Sequence, residues 1–384
     1  MAQKPKKPYK DFPLYAHATG RWAKKIRCKL YYFGPWDDWQ GALAKYLDER
    51  DDLQAGRTPR VKDGSVTVQD LCEHFVAYKQ HLVDTGELSS RTFTGYKRSC
   101  INIGLKLGLN LEVQSLTQMD LLRLRGKLAE GRKLVALGNE IRVTRMLLKY
   151  AHDMDLIDKP IKPGVGLRMP ARDKIRQERQ ARGKRLYAAS EVKSLLDAAT
   201  VPLKAMILLA VNCGFGNTDV AKLPKSALDL KGGWVDFPRP KTGVPRRCPL
   251  WPETIEAVRV AINDRPAPAD ESHAGLVFVT KSGNIWVRHS QKGTNFDAVN
   301  LEFGKLLAEV KIDRPGLAFY ALRHTFQTIA DGARDPVAVQ SLMGHSAAGD
   351  DMGAVYREEV SDDRLLAVTN HVHQWLYGRP EGHL

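Results

Sequence analysis

No run of apolar residues in this 384-residue chain approaches the roughly 20 needed to cross a bilayer, and mean hydropathy is −0.36. The first residues, MAQKPKKPYKDFP, carry cations but no apolar stretch behind them, so they do not read as a secretory signal. Cysteine is scarce. The five residues (Cys28, Cys72, Cys100, Cys213, Cys248) are odd in number, widely spaced and without a C-x-x-C pair. That excludes a disulfide frame and a zinc knuckle, and fits reduced thiols inside a cell. With 31 Gly and 20 Pro, both near average use, collagen-like and low-complexity classes fall away. No internal repeat with a period of about 20–50 residues is present. Acid is also in short supply: 44 Asp+Glu face 59 Lys+Arg, a net charge of +15. A chain this basic meets a polyanion, unless its cations only solvate its surface.

The basic excess is uneven. Residues 1–34 hold nine Lys/Arg and a single acid, Asp11. Within them RWAKKIRCKLYYFG mixes aromatics and cations, which reads as a small hairpin or three-stranded sheet, with Gly20 and Gly34 marking turns. Its cations Arg21, Lys24, Lys25 and Arg27 are candidate phosphate contacts. Residues 38–56 read as a helix with Leu43, Tyr46 and Leu47 on one face, and 56–65 as a linker. Together residues 1–60 make a basic N-terminal module resembling a DNA-binding arm.

Residues 61–158 read as an all-helical domain. Leu71, Phe75, Tyr78 and Leu82 fall at three- and four-residue steps behind Thr67 as cap, and Thr117 caps a later helix. Arg91, Lys97, Arg98, Arg142 and Arg145 are expected on outer faces, as DNA-binding candidates. Residues 159–185 carry ten Lys/Arg against two acids, with three prolines and three glycines, and read as an interdomain linker. Residues 186–384 read as a mixed domain: helices, short antiparallel strands around a turn at Lys241-Thr242-Gly243, and an amphipathic tail helix. The fold class expected is mainly α with small β elements (α+β).

The most informative stretch runs Tyr320-Ala321-Leu322-Arg323-His324-Thr325-Phe326-Gln327-Thr328, then Leu342-Met343-Gly344-His345-Ser346, then Tyr356, eleven residues past His345. In order and spacing it resembles the tyrosine recombinase, or phage integrase, family, whose pattern runs H-x-L-R-H-T-F-A-T, L-G-H-S, and a tyrosine about ten residues on. The resemblance extends to the layout of arm-like module, helical core-binding domain, basic linker and catalytic domain. It implies metal-free, ATP-free strand transfer. Tyr356 is then the nucleophile that forms a 3′-phosphotyrosine, and Arg323 neutralises charge on the phosphate. His345 donates to the same phosphate or assists the proton on the nucleophile, and Lys241 is the acid for the departing 5′-oxygen. No cofactor is implied. The partners implied are double-stranded DNA, a homo-tetramer on that DNA, and DNA-bending accessory proteins, with no membrane. The setting implied is the cytoplasm of a bacterial or phage system, serving a mobile element. The tail helix, with Leu365, Leu366, Val368, Val372, Trp375 and Leu376, is expected to pack on a neighbouring protomer, as the resemblance implies, with packing on its own domain the close alternative.

Two positions depart from the family's pattern. In Gly214-Phe215-Gly216-Asn217-Thr218-Asp219 the family's first arginine is replaced by Gly216, and Tyr320 stands where its first histidine usually is. Losing one charged donor at a phosphate transition state costs roughly 3 kcal/mol, about a hundredfold in rate. Arg246 and Arg247, just past the Lys241 turn, are candidate substitutes, and Tyr320 keeps a hydroxyl for the phosphate. The main rival is a catalytically impaired relative that occupies DNA sites and regulates; a basic RNA-associated protein is a third class. A dinucleotide site at Gly214-x-Gly216 is rejected because the third glycine is missing and an apolar helix precedes it. His371 and His373, two apart on a helix, point away from each other and do not form a metal site.

Overall fold

Two consecutive residues with positive φ, Arg27 at 48° and Cys28 at 64°, make the tight turn that folds the first basic stretch. Left-handed geometry at both central positions gives a turn whose twist suits a hairpin. It joins β2 (Arg21–Ile26) to β3 (Lys29–Pro35), and β1 (Tyr15–His17) pairs with the other edge of β2. Gly20, φ 79°, turns the chain between β1 and β2 as the sequence predicts. Gly34 does not turn it. It lies within β3 opposite Trp22, where Ala42 of α1 (Trp39–Ala55) comes within 3.1 Å of the place a Cβ would occupy. Phe12, Leu14, Trp22, Phe33, Ala42, Tyr46 and Leu53 form the core of this module. Leu47, expected inward on α1, is 49% exposed, one position off the buried stripe.

This computed structural model describes residues 4–55, 66–289, 295–312, 314–346, 353 and 356–378; the segment 56–65, read as a linker, lies outside them. The chain divides into two units, residues 1–170 and 171–384.

In the first unit, α2 (Val68–Asp84), α3 (Ser90–Leu107), α4 (Gln118–Ala129) and α5 (Leu134–Asp153) share a second core that includes Leu71, Phe75, Ile103, Leu124 and Ile141. Thr67 and Thr117 cap α2 and α4, each with an aspartate three residues on closing a reciprocal capping box. Tyr78 is 38% exposed rather than buried, and stacks on Tyr150 at 5.3 Å. The expected linker starts later than charge counting implies. Leu167 is buried in this core, its carbonyl takes two N–H groups from Arg145 at 3.0 and 2.7 Å, and Gln118 reaches Lys162 O at 2.6 Å. The apolar residues Ile161, Leu167 and Met169, scattered among prolines and cations, dock this irregular, turn-containing stretch onto the helices. The helix after it, α6 (Arg172–Ala181), buries nothing.

The second unit is built around α8 (Val201–Cys213), whose residues from Ala205 to Cys213 are all buried. Buried Asn212 donates to Pro249 O and accepts from Trp251 N, both at 2.9 Å, so its amide is satisfied while tying α8 to the sheet. Around α8 lie α7 (Ala189–Ala198), α9 (Asn217–Lys222), the sheet β4-β5-β6 (Leu228–Asp229, Trp234–Asp236, Arg247–Pro249) and α10 (Pro252–Asn263). Then follow the hairpin β7-β8 (Val287–His289, Asn295–Asp297), α11 (Ala298–Glu309), α12 (Phe319–Ala330), α13 (Pro336–Met343) and α14 (Asp362–Tyr377). Mainly helical with small antiparallel sheets, the fold is of the class expected. The tail helix α14 does not reach outward: Leu365, Val368, Val372 and Leu376 are buried in the core of their own unit. No helix among the described residues is long and apolar enough to cross a membrane.

Candidate functional site

On α12, Phe319, Leu322, Arg323, Phe326 and Ala330 share one buried stripe at three- and four-residue steps. An arginine inside such a stripe must find partners, since an unpaired buried charge is costly. Arg323, 2% exposed, finds them at two helix ends. Its Nη1 donates to Gly214 O, just past α8, and its Nη2 donates to Met343 O, the last residue of α13, at 2.6 Å. Both helices end on a left-handed glycine, Gly214 (φ 64°) and Gly344 (φ 57°). The turn at Gly344 brings the next residue, His345, back so that its Nε2 lies 3.2 Å from Arg323 Nη2. A guanidinium only donates, so Nε2 accepts and the imidazole proton sits on Nδ1. Burial, then the charges of Arg323 and Arg239, push His345 below its usual pKa and favour this neutral form.

A carboxylate anchors the same cluster from α9. Asp219 accepts from Gly216 N at 2.6 Å and lies 3.9 Å from Arg323 and 3.5 Å from Arg246. Gly216 has an extended backbone that any residue could adopt. A Cβ there would sit 3.0 and 3.2 Å from the Tyr320 ring. Tyr320, on the first turn of α12, is 44% exposed and meets His324 edge-on at 5.5 Å. His324 is held below its usual pKa by burial, then by Arg185 and Arg323.

The two arginines past the turn take opposite sides. Arg246 points in, with its side chain fully enclosed, its guanidinium 4.0 Å over the Phe215 ring and its Nε donating to Phe237 O at 3.1 Å. Its Nη1 is buried without a partner. Arg247 points out. It lies over Trp234 and pairs with Asp236 and Asp362, which raise its pKa and take it out of the cluster. Strand alternation separates the two.

Lys241 stands exposed at the tip of the hairpin, with no hydrogen bond from its side chain to the described residues. Its turn is closed by Gly243 N on Arg239 O at 2.8 Å and is tied to the site through Thr242 Oγ1, 3.3 Å from Gly344 O. Sequence reasoning missed Arg239, which is nearly buried and donates to the same Gly344 carbonyl at 3.4 Å. Burial, with the charge of Arg239 next in weight, brings Arg323 down to about 10, still protonated at neutral pH. Tyr356 is 79% exposed, follows residues outside the described set, and bonds to none of the described residues.

The arrangement gathers three guanidinia, two of them beside one carboxylate, with a neutral imidazole, a lysine-tipped turn and a half-exposed tyrosine. Its excess of positive charge suits an anion with several acceptor oxygens. In the first unit the expected DNA contacts divide. Arg21, Lys25, Arg27, Arg91, Lys97, Arg98 and Arg142 are exposed. Lys24 donates to Tyr46 OH at 2.8 Å, and Arg145, expected outward, is half-buried on Leu167 O.

A family model described as the phage integrase family matches residues 182–357, a span that contains Lys241, Tyr320, Arg323, His345 and Tyr356. No curated protein matches the chain. Among solved structures, the Tn1549 transposon integrase in complex with a circular intermediate DNA gives a TM-score of 0.57 at 19% identity, covering 80% of this chain and 99% of that one. The lambda integrase tetramer bound to a Holliday junction gives 0.57 at 15% identity, covering 92% and 98%. The lambda integrase dimer on a COC′ core site gives 0.56 at 15%, covering 91% and 96%. At these identities the likeness is one of fold. Residues 182–357 of this chain are a phage integrase family domain, of the tyrosine recombinase kind.

Proposed function

We propose that the chain is a site-specific DNA recombinase that cuts and rejoins strands through a 3′-phosphotyrosine on Tyr356. The observation that carries the reading is the union of two motif residues 22 positions apart, Arg323 and His345, at 3.2 Å inside a cluster of net positive charge. Arg323 supplies fixed charge at the floor of the site, where a low dielectric makes it worth more than in water. The Tyr356 oxygen attacks the scissile phosphorus and forms one P–O bond. The bond to the 5′-oxygen breaks, and Lys241, on its exposed turn, protonates the leaving oxygen. Neutral His345, its proton on Nδ1, donates to a non-bridging oxygen of the phosphate, and the phenol proton passes to water. One phosphodiester replaces another, so a 5′-hydroxyl from a second strand reverses the step without ATP.

The reading takes double-stranded DNA as substrate, with the exposed cations of the first unit as phosphate contacts. The relatives with this fold are described on transposon DNA, on core sites and, as a tetramer, on a Holliday junction; a tetramer on two duplexes is the assembly proposed here. Accessory proteins that bend DNA belong to the same picture.

One observation favours a second reading, an impaired relative that occupies recombination sites: the Tyr320 ring fills the space next to Gly216, where the family's arginine would start. A nicked duplex separates the two readings, because cleavage near the nick releases a short strand and traps the protein. Covalent capture that is lost in Tyr356→Phe supports the enzyme. DNA binding with no capture supports the impaired relative.

A further inference from the structure

We infer that Arg239 grips the scissile phosphate in place of the arginine missing at Gly216. The inference rests on the strand-transfer reading above and adds a residue to it.

The cations around the site are not equally free. Arg323 is committed to Gly214 O, Met343 O and His345. Arg246 is enclosed between Phe215, Phe237 and Asp219, and cannot reach a DNA backbone. Arg247 is outside, held by two aspartates. Arg239 differs from all three. Only its Nη1 has a partner among the described residues, Gly344 O at 3.4 Å, and its other N–H groups are not sealed from solvent.

Position favours it as well. Arg239 and Arg323 brace consecutive carbonyls, Gly344 O and Met343 O, so their guanidinia flank the stretch that carries His345. The stem of Arg239 runs close past Gly344, where an added Cβ would lie 2.9 Å from Arg239 Cβ. Among the described residues Asp219 is the one carboxylate paired with Arg323 and Arg246, so bringing Arg239 next to Arg323 leaves positive charge uncompensated. Burial first, and then the charge of Arg239, hold Arg323 below its ordinary pKa. A phosphodiester compensates the uncompensated charge. As the bond to Tyr356 forms and the bond to the 5′-oxygen breaks, the free N–H groups of Arg239 donate to a non-bridging oxygen, and no bond to Arg239 is made. The family's route to that oxygen, from the start of α9, is closed by Tyr320; the hairpin supplies another.

The test uses the full chain on nicked duplexes of randomised sequence around the nick, from which the unaltered protein selects those it captures covalently. Arg239→Ala and Arg239→Gln are then compared on the selected duplexes, with Arg247→Ala as control. Arg239→Gln keeps a donor for Gly344 O while removing the charge, so it separates catalysis from packing. The expected result is capture slowed about a hundredfold in both Arg239 variants, with duplex affinity within a few-fold of the unaltered protein and Arg247→Ala unaffected. Capture by Arg239→Gln at the unaltered rate overturns the inference and leaves the strand-transfer reading standing. No capture by the unaltered protein on any duplex removes both.

Discussion

The ring of Tyr320 covers Gly216: a Cβ built on Gly216 would lie 3.0 Å from Tyr320 Cε2. The two positions at which this chain departs from the recombinase motif are thus neighbours in space, although 104 residues apart in sequence. One departure vacates the room that the other occupies. A double-mutant cycle measures this. Gly216→Ala forces the exposed ring aside, and in a Tyr320→Ala background it meets nothing. The expected coupling in unfolding free energy is about 1 kcal/mol. Additive effects would show that the ring does not depend on the glycine.

Gly344 carries two constraints that can be separated. Its φ of 57° is left-handed, and a Cβ there would lie 2.9 Å from Arg239 Cβ. Gly243 has φ 69° but open space around it. Gly243→Ala should therefore cost only backbone strain, about 1–2 kcal/mol. Gly344→Ala should cost more and slow strand cleavage, because His345 and Arg239 both depend on that turn. Denaturant unfolding of the two variants checks the order.

Stability should depend on pH through the histidines at the site. His345 and His324 are both held below the ordinary value of 6.5 in the folded chain. As pH falls below about 6.5 the unfolded chain takes up these protons first, so it binds more protons than the folded chain and stability declines. Their contribution is complete above that value and is lost on acidification. His345→Gln should flatten the slope between pH 6.5 and the lowered folded values, as read from unfolding midpoints. An unchanged slope would place His345 in a more exposed setting.

Leu365 of α14 is 1% exposed in the core of its own unit. Leu365→Ala should lower the unfolding free energy by about 2–4 kcal/mol. The loss should not vary with protein concentration, because the contact lies within one chain. A loss that appears only where protomers associate would return this helix to a neighbour.

How much of this was legible depends on how local each cause is. The caps Thr67 and Thr117 and the steps Leu71 and Phe75 are set by residues within one turn, and the sequence reading of them agrees with the structure. Arg323 and His345 stood out because their motif is short and ordered. Leu47 was misplaced because several apolar residues of α1 compete for the inward face, and the sheet decides between them. The docking of residues 161–169 was hidden by surrounding charge. The difference between Arg246 and Arg247 rests on strand phase, which composition does not reveal. Arg239 needed Gly344, a partner 105 positions away. The seat of the tail helix likewise depends on a complete core, since amphipathicity alone fits any apolar surface.

The central claim is that Tyr356 bonds to DNA phosphorus. Peptide mass spectrometry of the captured, nuclease-trimmed adduct tests it directly. The account predicts a nucleotide mass on the phenol of Tyr356 and on no other side chain. The mass on Tyr320, or on any serine, would contradict it.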